Sequence, residues 1–296
     1  MENSERVGFI IAIIKRKNGD TMKKILFILM AVAAACVFLI AGFQTIANAE
    51  WGEDVLVSSD PPGIQQRAPS MDEAPNGDLY IAVEDQEYEV GIRVYKSTDG
   101  GENWGWILNL FHFQSPTGTY QNPSLTYAAG SEDWLFIIYE RVDPNDSRSI
   151  EVFRFDPTDP GIHNYAVIAS GIYMPPDLHI QPEICTDTPY YYDNYYVYVT
   201  YSVEGTTYYP VYFSRSTDKG VTWSTPVDVT GGVGMSSGWQ TQPDIAYGPS
   251  GLYITFEKMG WNGSSWTNQI WVTKSTDYGL TWNTPIQLTS SSLDCY

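Results

Sequence analysis

Short apolar stretches with period-two alternation recur along the chain after residue 50, separated by Gly, Pro, Asn and Asp. Alternation of this kind predicts β-strands, because successive side chains of a strand point to opposite faces of a sheet. Nothing after residue 50 has the 3.6-residue period of an amphipathic helix. The pattern therefore predicts an all-β protein. Its four clearest strands are Leu79–Glu84, Leu135–Glu140, Val197–Ser202 and Leu252–Glu257.

Each of these strands lies inside a longer repeat. A strand that starts at a proline precedes it, a third strand runs into a turn motif, and a fourth strand follows that motif. Three octapeptides carry the motif: STDGGENW, STDKGVTW and STDYGLTW. Their aspartates are Asp99, Asp218 and Asp277, and a degenerate copy, PTDPGIHN, adds Asp159, so the spacings are 60, 59 and 59 residues. A repeat of about sixty residues indicates four similar four-stranded units.

The octapeptide S-x-D-x-G-x-T-W resembles the Asp-box, or BNR repeat, of the sialidase-like β-propeller superfamily. The resemblance covers most of residues 51–296 and implies blades of four antiparallel strands. It also implies that the box is a structural device, in which Asp accepts turn amides, Gly adopts positive φ and a buried Trp covers the blade. The residues assigned to boxes are Ser97, Asp99, Gly101, Trp104, Asp159, Gly161, Ser216, Asp218, Gly220, Trp223, Ser275, Asp277, Gly279 and Trp282.

Trp51–Ser58 matches Trp282–Thr289 position for position, as a fourth strand without its first three. Propellers use such a strand to close their ring. Four complete blades and this strand make an open ring. We therefore expect the chain to be a C-terminally truncated part of a six-bladed propeller.

The first 49 residues have the pattern of a secretory signal peptide. Met22-Lys23-Lys24 precedes the uncharged stretch Ile25–Phe43, and Ala47-Asn48-Ala49 forms a cleavage pattern before Glu50. An uncleaved membrane anchor and a lipoprotein modified at Cys36 are the alternatives. Each of the three exports residues 50–296, so the predicted location is secreted or cell-surface.

Charge and composition exclude several functions. The whole chain has 16 Lys+Arg and 35 Asp+Glu, for a net charge of −19, and residues 50–296 have 10 and 32, for −22. Such a surface repels phosphate, so nucleic-acid binding is excluded. The three histidines are isolated and there is no glycine loop for phosphate, which predicts neither a metal nor a cofactor. The exported part has two cysteines, Cys185 and Cys295, and either a disulfide or two free thiols is consistent with them.

Strand counting places the starts of first strands and the ends of second strands on the face opposite the boxes, which we call the upper face. Acidic, basic and aromatic side chains converge there, as in sugar sites. A solvated acidic rim is the plainer interpretation. The ligand-binding candidates are Glu84, Tyr88, Glu140, Arg141, Glu257, Trp261 and Trp266.

The sialidase resemblance also suggests two catalytic candidates. Arg67-Ala68-Pro69 is similar to the R-I-P motif whose arginine holds a carboxylate, and Asp85 is placed like the acid/base aspartate. The family's further arginines and its tyrosine nucleophile have no match, since there is no arginine after Arg215. The remaining arginines, Arg93, Arg148, Arg154 and Arg215, are interpreted as strand or loop surface residues.

The sequence thus favours an exported propeller that binds extracellular glycans or proteins through its upper face. One alternative is a glycoside hydrolase of the exo-α-sialidase type, and another is a structural module of a larger envelope protein. The predicted partner is an extracellular glycan or glycoprotein, without nucleic acid. Contact with a membrane is expected only through an uncleaved Ile25–Phe43 segment.

Overall fold

The computed structural model of the protein describes residues 54–58, 65–85, 91–110, 118–173, 180–187, 195–203, 208–230, 238–261 and 265–289. The predictions for residues 1–49 and for Tyr88 and Cys295 lie outside this set. Seventeen β-strands make up the described residues, and no α-helix occurs among them. In the same part of the chain, no helix has the length and hydrophobicity that crossing a bilayer requires.

Sixteen of the strands form four antiparallel sheets of four strands each, which are the blades. Blade 1 contains β1 (Gln66–Glu73), β2 (Leu79–Asp85), β3 (Gly91–Ser97) and β4 (Gly105–Asn109). Blade 2 contains β5 (Thr119–Ala128), β6 (Trp134–Val142), β7 (Ser147–Asp156) and β8 (Asp159–Tyr173). Blade 3 contains β9 (Glu183–Thr186), β10 (Val197–Ser202), β12 (Val211–Ser216) and β13 (Val227–Asp228). Blade 4 contains β14 (Gly238–Gly248), β15 (Gly251–Trp261), β16 (Trp266–Ser275) and β17 (Ile286–Gln287).

The remaining strand, β11 (Tyr208–Tyr209), leaves blade 3 and pairs in parallel with β14 of blade 4. Strand order within every blade follows the chain, as the sequence repeat predicts. The predicted fold class, an all-β propeller of four-stranded antiparallel blades, is confirmed. The fourth strands of blades 3 and 4 are shorter than their sequence pattern suggests, with two residues each.

The hydrophobic core lies between neighbouring blades rather than within one blade. Three clusters of buried apolar side chains fill the boundaries between blades 1 and 2, 2 and 3, and 3 and 4. A blade with an apolar face is stable only when another sheet covers that face. Phe136, Tyr139, Phe153 and Phe213 are among the aromatic side chains that are almost completely buried at these boundaries.

Each intact box is a hydrogen-bonded turn with the same geometry. In the box of blade 3, Ser216 Oγ donates to Asp218 at 2.7 Å and accepts the Gly220 amide at 2.8 Å. Asp218 then accepts the backbone amide and the hydroxyl of Thr222, at 2.8 and 2.6 Å. Ser97 with Asp99, and Ser275 with Asp277, repeat this pattern. The Asp side chains therefore accept turn amides, as expected.

The box also fixes the neighbouring blade. A Cβ atom on Gly279 would lie 2.2 Å from Phe213 Cζ of blade 3, so only glycine allows this approach. Trp282 meets the Phe213 ring edge-on at 4.9 Å between centroids. The box tryptophans are half-buried rather than buried as predicted, and Trp223 and Trp282 pack at the edge of a boundary cluster instead of in its centre.

Arginines reinforce these boundaries. The guanidinium of Arg215 donates at 2.6 Å to the carbonyl of Tyr278 in the next box. Arg154 makes the equivalent bond to the Lys219 carbonyl and also lies over the Trp134 ring. Both carbonyls belong to residues with a φ near +60°, directly before the box glycine. These two arginines are therefore inter-blade contacts, and Arg215 is also partly exposed at the surface, as its interpretation as a surface residue predicts.

Blade 2 departs from the box geometry. Asp159 begins β8 and accepts only the nearby Gly161 amide, at 3.1 Å, among its described hydrogen bonds. The turn is held instead by Asp156, which accepts the amides of Thr158 and Asp159. The assignment of Asp159 and Gly161 as a box was therefore wrong. Without the box Ser and Trp, the chain forms a tight β7–β8 hairpin.

Candidate functional site

A central cavity of about 450 Å³ opens where the first strands of the four blades approach one another. Every blade contributes the same segment, the residues around its first-strand proline. Amides, hydroxyls and carboxylates face the cavity between proline rings, and no Lys or Arg is among the described lining residues. These residues are Ala68, Pro69, Ser70, Asn122, Pro123, Gln181, Pro182, Glu183, Gln242, Pro243 and Asp244.

The cavity wall is built from strained β-bulges. Ala68, Asn122 and Gln242, each directly before a proline, have φ of 45°, 51° and 50°. The first-strand pairing shifts register at each of these points. Left-handed backbone is uncommon for residues other than glycine and costs on the order of 1–3 kcal/mol. Bulges re-aim side chains, and in blades 1, 3 and 4 the residue after the proline lines the cavity.

The residues after the prolines join neighbouring blades. Ser70 Oγ accepts the amide of Leu125 in blade 2 at 2.9 Å, and Ser124 Oγ accepts that of Ile184 in blade 3 at 3.4 Å. The equivalent residues of blades 3 and 4 are Glu183 and Asp244. Of these four residues, Ser70, Glu183 and Asp244 line the cavity, whereas Ser124 lies behind it and contacts Glu183.

Glu183 is the most perturbed acid of the cavity. Burial raises its pKa to about 7, the hydrogen bond from Ser124 opposes the shift, and the nearby charge of Asp244 adds to it. The Ser124 hydroxyl donates to Glu183 Oε2 at 2.6 Å. An acid with such a pKa in a cavity both accepts and donates protons near neutral pH.

Glu140 supports the cavity from behind. Its carboxylate is fully buried, pairs with Arg148 at 2.5 Å and accepts the Ile180 amide at 3.2 Å. Asn122 donates to Glu140 at 3.3 Å and to the Ile180 carbonyl at 3.2 Å. The prediction that Glu140 contacts a ligand was therefore wrong, since it orients Asn122 instead. The interpretation of Arg148 as a surface residue was also wrong, because Arg148 is buried.

The two catalytic candidates are not brought together. In the β1–β2 ladder, Arg67 is opposite Glu84, and Gln66 is opposite Asp85. Since neighbouring residues of a strand point to opposite faces, Arg67 and Asp85 lie on opposite sides of blade 1. The predicted pairing of Arg67 and Asp85 in one site is wrong for this reason.

Asp85 belongs to a buried polar network. It accepts a hydrogen bond from Gln66 at 3.0 Å and pairs with Arg93 at 3.3 Å. Gln66 also donates to the Tyr95 hydroxyl at 2.9 Å. Arg93 is only 8% exposed, so its interpretation as a surface residue was wrong. Asp85 is therefore engaged by neighbouring strands of its own blade.

The other binding candidates are spread over three blades. Glu84 is buried on the side of blade 1 that faces blade 2, and Arg141 pairs with Asp143 at 2.8 Å and with Glu151 at 3.5 Å. Glu257 is half-buried in β15. Trp261 and Trp266 are paired across the end of the β15–β16 hairpin. The contribution of the two tryptophans to a ligand site stays a prediction, since only their backbone lies within the description.

The sequence pattern predicts Glu183 and Asp244 only as residues at the start of a first strand. The available signal was their position directly after the first-strand proline, where blades 1 and 2 have serine. For metals, the described ranges contain no group of three or more His, Cys, Asp or Glu able to hold an ion. Cys185 is a free thiol.

Comparison with known proteins supports the fold. No protein-family model and no curated protein sequence matches the chain. An α-L-arabinanase of Penicillium chrysogenum, in complex with arabinobiose, is similar in structure, with a TM-score of 0.58 and 19% identity over 77% of this chain and 67% of that one. An α-L-arabinofuranosidase of Fusarium graminearum, in complex with an iminosugar inhibitor, gives 0.56 and 20%, also over 77% and 67%. A Dyadobacter fermentans protein of unknown function gives 0.55 and 16% over 82% and 70%. The fold and its four-stranded sheets therefore define this protein as a β-propeller.

Proposed function

We propose that the protein is an exported Asp-box β-propeller of the sialidase-like superfamily that binds neutral extracellular glycans. The central cavity is the binding site in this proposal, and the upper face extends it. The box geometry and the sixty-residue repeat support membership of the superfamily. The predicted signal peptide supports export.

The cavity carries the proposal. Its volume of about 450 Å³ is within the usual range of small-ligand sites, roughly 300–1,000 Å³. Hydroxyls, amides and carboxylates from four blades provide donors and acceptors for several sugar hydroxyls at once. Proline rings supply apolar surface between them.

The charge of the cavity selects neutral ligands. Two carboxylates line it, and no described lining residue is basic. An anionic sugar would meet like charge at short range without a guanidinium to bind it. A neutral glycan pays no such cost. Similar folds hold arabinobiose and an iminosugar in the two fungal enzymes, which supports a carbohydrate rather than a protein ligand.

A glycan array tests the proposal, followed by isothermal titration of each retained glycan. We expect neutral oligosaccharides to be retained and sialylated or sulfated ones to be lost. Gln242→Ala should weaken binding about 5–10-fold, the value of one net hydrogen bond. Ala68 already adopts the same backbone conformation in blade 1, so the substitution is tolerated. Gln287→Ala, on the outermost strand of blade 4, is the matched control and should bind as the wild type does.

Two results would contradict the proposal. One is the absence of any retained neutral glycan, which would favour a structural module. The other is binding that Gln242→Ala leaves unchanged while Trp261→Ala abolishes it. That result would move the site from the cavity to the β15–β16 hairpin.

A further inference from the structure

Two of the four residues that follow the first-strand prolines have carboxyl groups that the fold does not require. In blades 1 and 2 a serine hydroxyl at this position accepts the amide of the next blade. A hydroxyl is therefore sufficient for the inter-blade bond. Blades 3 and 4 have Glu183 and Asp244 instead, and both line the central cavity. Placing two acidic groups in one cavity has a cost, because each disfavours the ionisation of the other, and this calls for a role other than folding.

The two carboxyls lie in different environments. Glu183 is half-buried and accepts the Ser124 hydroxyl, whereas Asp244 is exposed to solvent at the cavity mouth. Paired carboxyls with different surroundings can take different roles, with one neutral as an acid and the other ionised.

The charges around Glu183 are few. Asp244 faces it from β14, and Glu140 of β6 is neutralised by Arg148 of β7. β5 contributes the uncharged Ser124 and Asn122, and the sequence of β10 contains no Asp, Glu, Lys or Arg. Among these neighbours no cation pairs directly with Glu183, and its pKa rises to about 7 because of burial.

We propose that the central cavity hydrolyses a glycosidic bond of the neutral glycan it binds, with Glu183 as proton donor and Asp244 as the base that activates water. This inference rests on the proposed function and adds a reaction and two catalytic residues to it. It also moves the catalytic centre from Arg67 and Asp85 of blade 1 to Glu183 and Asp244 of blades 3 and 4.

The reaction is balanced without a cofactor. Glu183 gives its carboxyl proton to the glycosidic oxygen as the bond from that oxygen to the anomeric carbon breaks. Water attacks the anomeric carbon while Asp244 takes one of its protons. The products are a hemiacetal sugar and an alcohol, with Glu183 ionised and Asp244 protonated, and proton exchange with solvent restores both.

The test uses leaving groups of different acidity. The full chain is assayed on neutral unactivated oligosaccharides retained on the array and on 2,4-dinitrophenyl glycosides of the same sugars. Glu183→Gln should lower kcat/KM on the oligosaccharides by about 10²–10⁴-fold, the usual contribution of a general acid. On dinitrophenyl glycosides the loss should be under about tenfold, because that leaving group departs without a proton. Asp244→Asn should lower the rate of hydrolysis of both substrates.

Glu73→Gln is the matched control, since Glu73 lines a second cavity that shares no lining residue with the central one. It should leave both rates unchanged. Isothermal titration of Glu183→Gln with the same oligosaccharide should show retained binding. In the wild type, the pH–rate profile on oligosaccharides should have a basic limb with an apparent pKa near 7. The profile of Glu183→Gln on dinitrophenyl glycosides should lack this limb.

The outcomes separate the two proposals. Binding of a neutral glycan without hydrolysis of any substrate would overturn the catalytic inference and leave the binding function standing. Hydrolysis with equal losses on both leaving groups in Glu183→Gln would overturn the proton-donor role. A chain that neither binds nor hydrolyses neutral glycans would overturn both.

Discussion

Ser124 and Glu183 are joined by a 2.6 Å hydrogen bond across the boundary between blades 2 and 3. The same Ser124 oxygen accepts the amide of Ile184, the residue after Glu183. One hydroxyl thus holds both the backbone and the side chain of the neighbouring first strand. The orientation of the acid in the cavity is therefore coupled to the contact between these blades.

Ser124→Ala should raise the pKa of Glu183 above about 7, because the hydroxyl stabilises the ionised carboxylate. Asp244→Asn should lower it, because a like charge is removed. Carbon-13 NMR titration of the carboxyl groups measures both shifts, with Glu183→Gln identifying the resonance. A pKa that stays the same in both variants would contradict the described surroundings of Glu183.

The boxes should make the fold sensitive to acid. Hydrogen bonds from the turn lower the pKa of Asp99 and Asp277 to about 2 from an ordinary value of 3.8. Since these carboxylates bind protons more weakly in the folded state, their stabilisation is complete above about pH 4 and is lost as the pH falls towards 2. Urea unfolding at pH 5, 3 and 2 measures the loss, which should be smaller in Asp277→Asn. An equal loss in that variant would assign the acid sensitivity to other groups.

Gly279→Ala should destabilise the protein by about 2–4 kcal/mol, through both backbone strain and overpacking. Gly279 has a φ of 82°, and the new methyl group would meet the Phe213 ring of blade 3. Gly77→Ala is the control, because its φ is 86° and open space surrounds it. It should cost only the strain, about 1 kcal/mol. Equal losses in chemical denaturation would show that the inter-blade contact adds nothing.

Sialosides should not be cleaved. Arg67 and Asp85 lie on opposite sides of blade 1, and Asp85 is paired with Arg93. The chain also has no arginine after Arg215 to complete a carboxylate site. A fluorogenic sialoside assay measures this, and turnover that Arg67→Ala or Asp85→Ala abolishes would restore the sialidase hypothesis.

The repeat made most of the fold predictable. Alternation within Leu79–Glu84 and its equivalents fixed the second strands, and the box spacing fixed the number of blades described. The sequence does not predict the register of the β1–β2 ladder, and that register places Arg67 and Asp85 on opposite sides of blade 1. Arg93 looked like a surface residue because its partner lies on the neighbouring strand. Truncation, signal cleavage and the role of Tyr88 remain predictions.

The sequence predicts the face where the first strands start, but neither the central cavity nor the chemistry of its lining. Counting strands brought the pre-proline residues to one face, including Asn122 and Gln242. The bulges that set their φ near 50° leave no pattern in the sequence, since proline normally favours an extended residue before it. The burial that perturbs Glu183 likewise arises only when blades 2, 3 and 4 meet.

A crystal structure of the protein soaked with a neutral oligosaccharide retained on the array would show directly whether the central cavity binds the glycan. We predict a sugar ring in the central cavity, within hydrogen-bond distance of Ser70, Glu183 and Asp244. A ring bound anywhere else on the blades, with the cavity holding only water, would contradict the account.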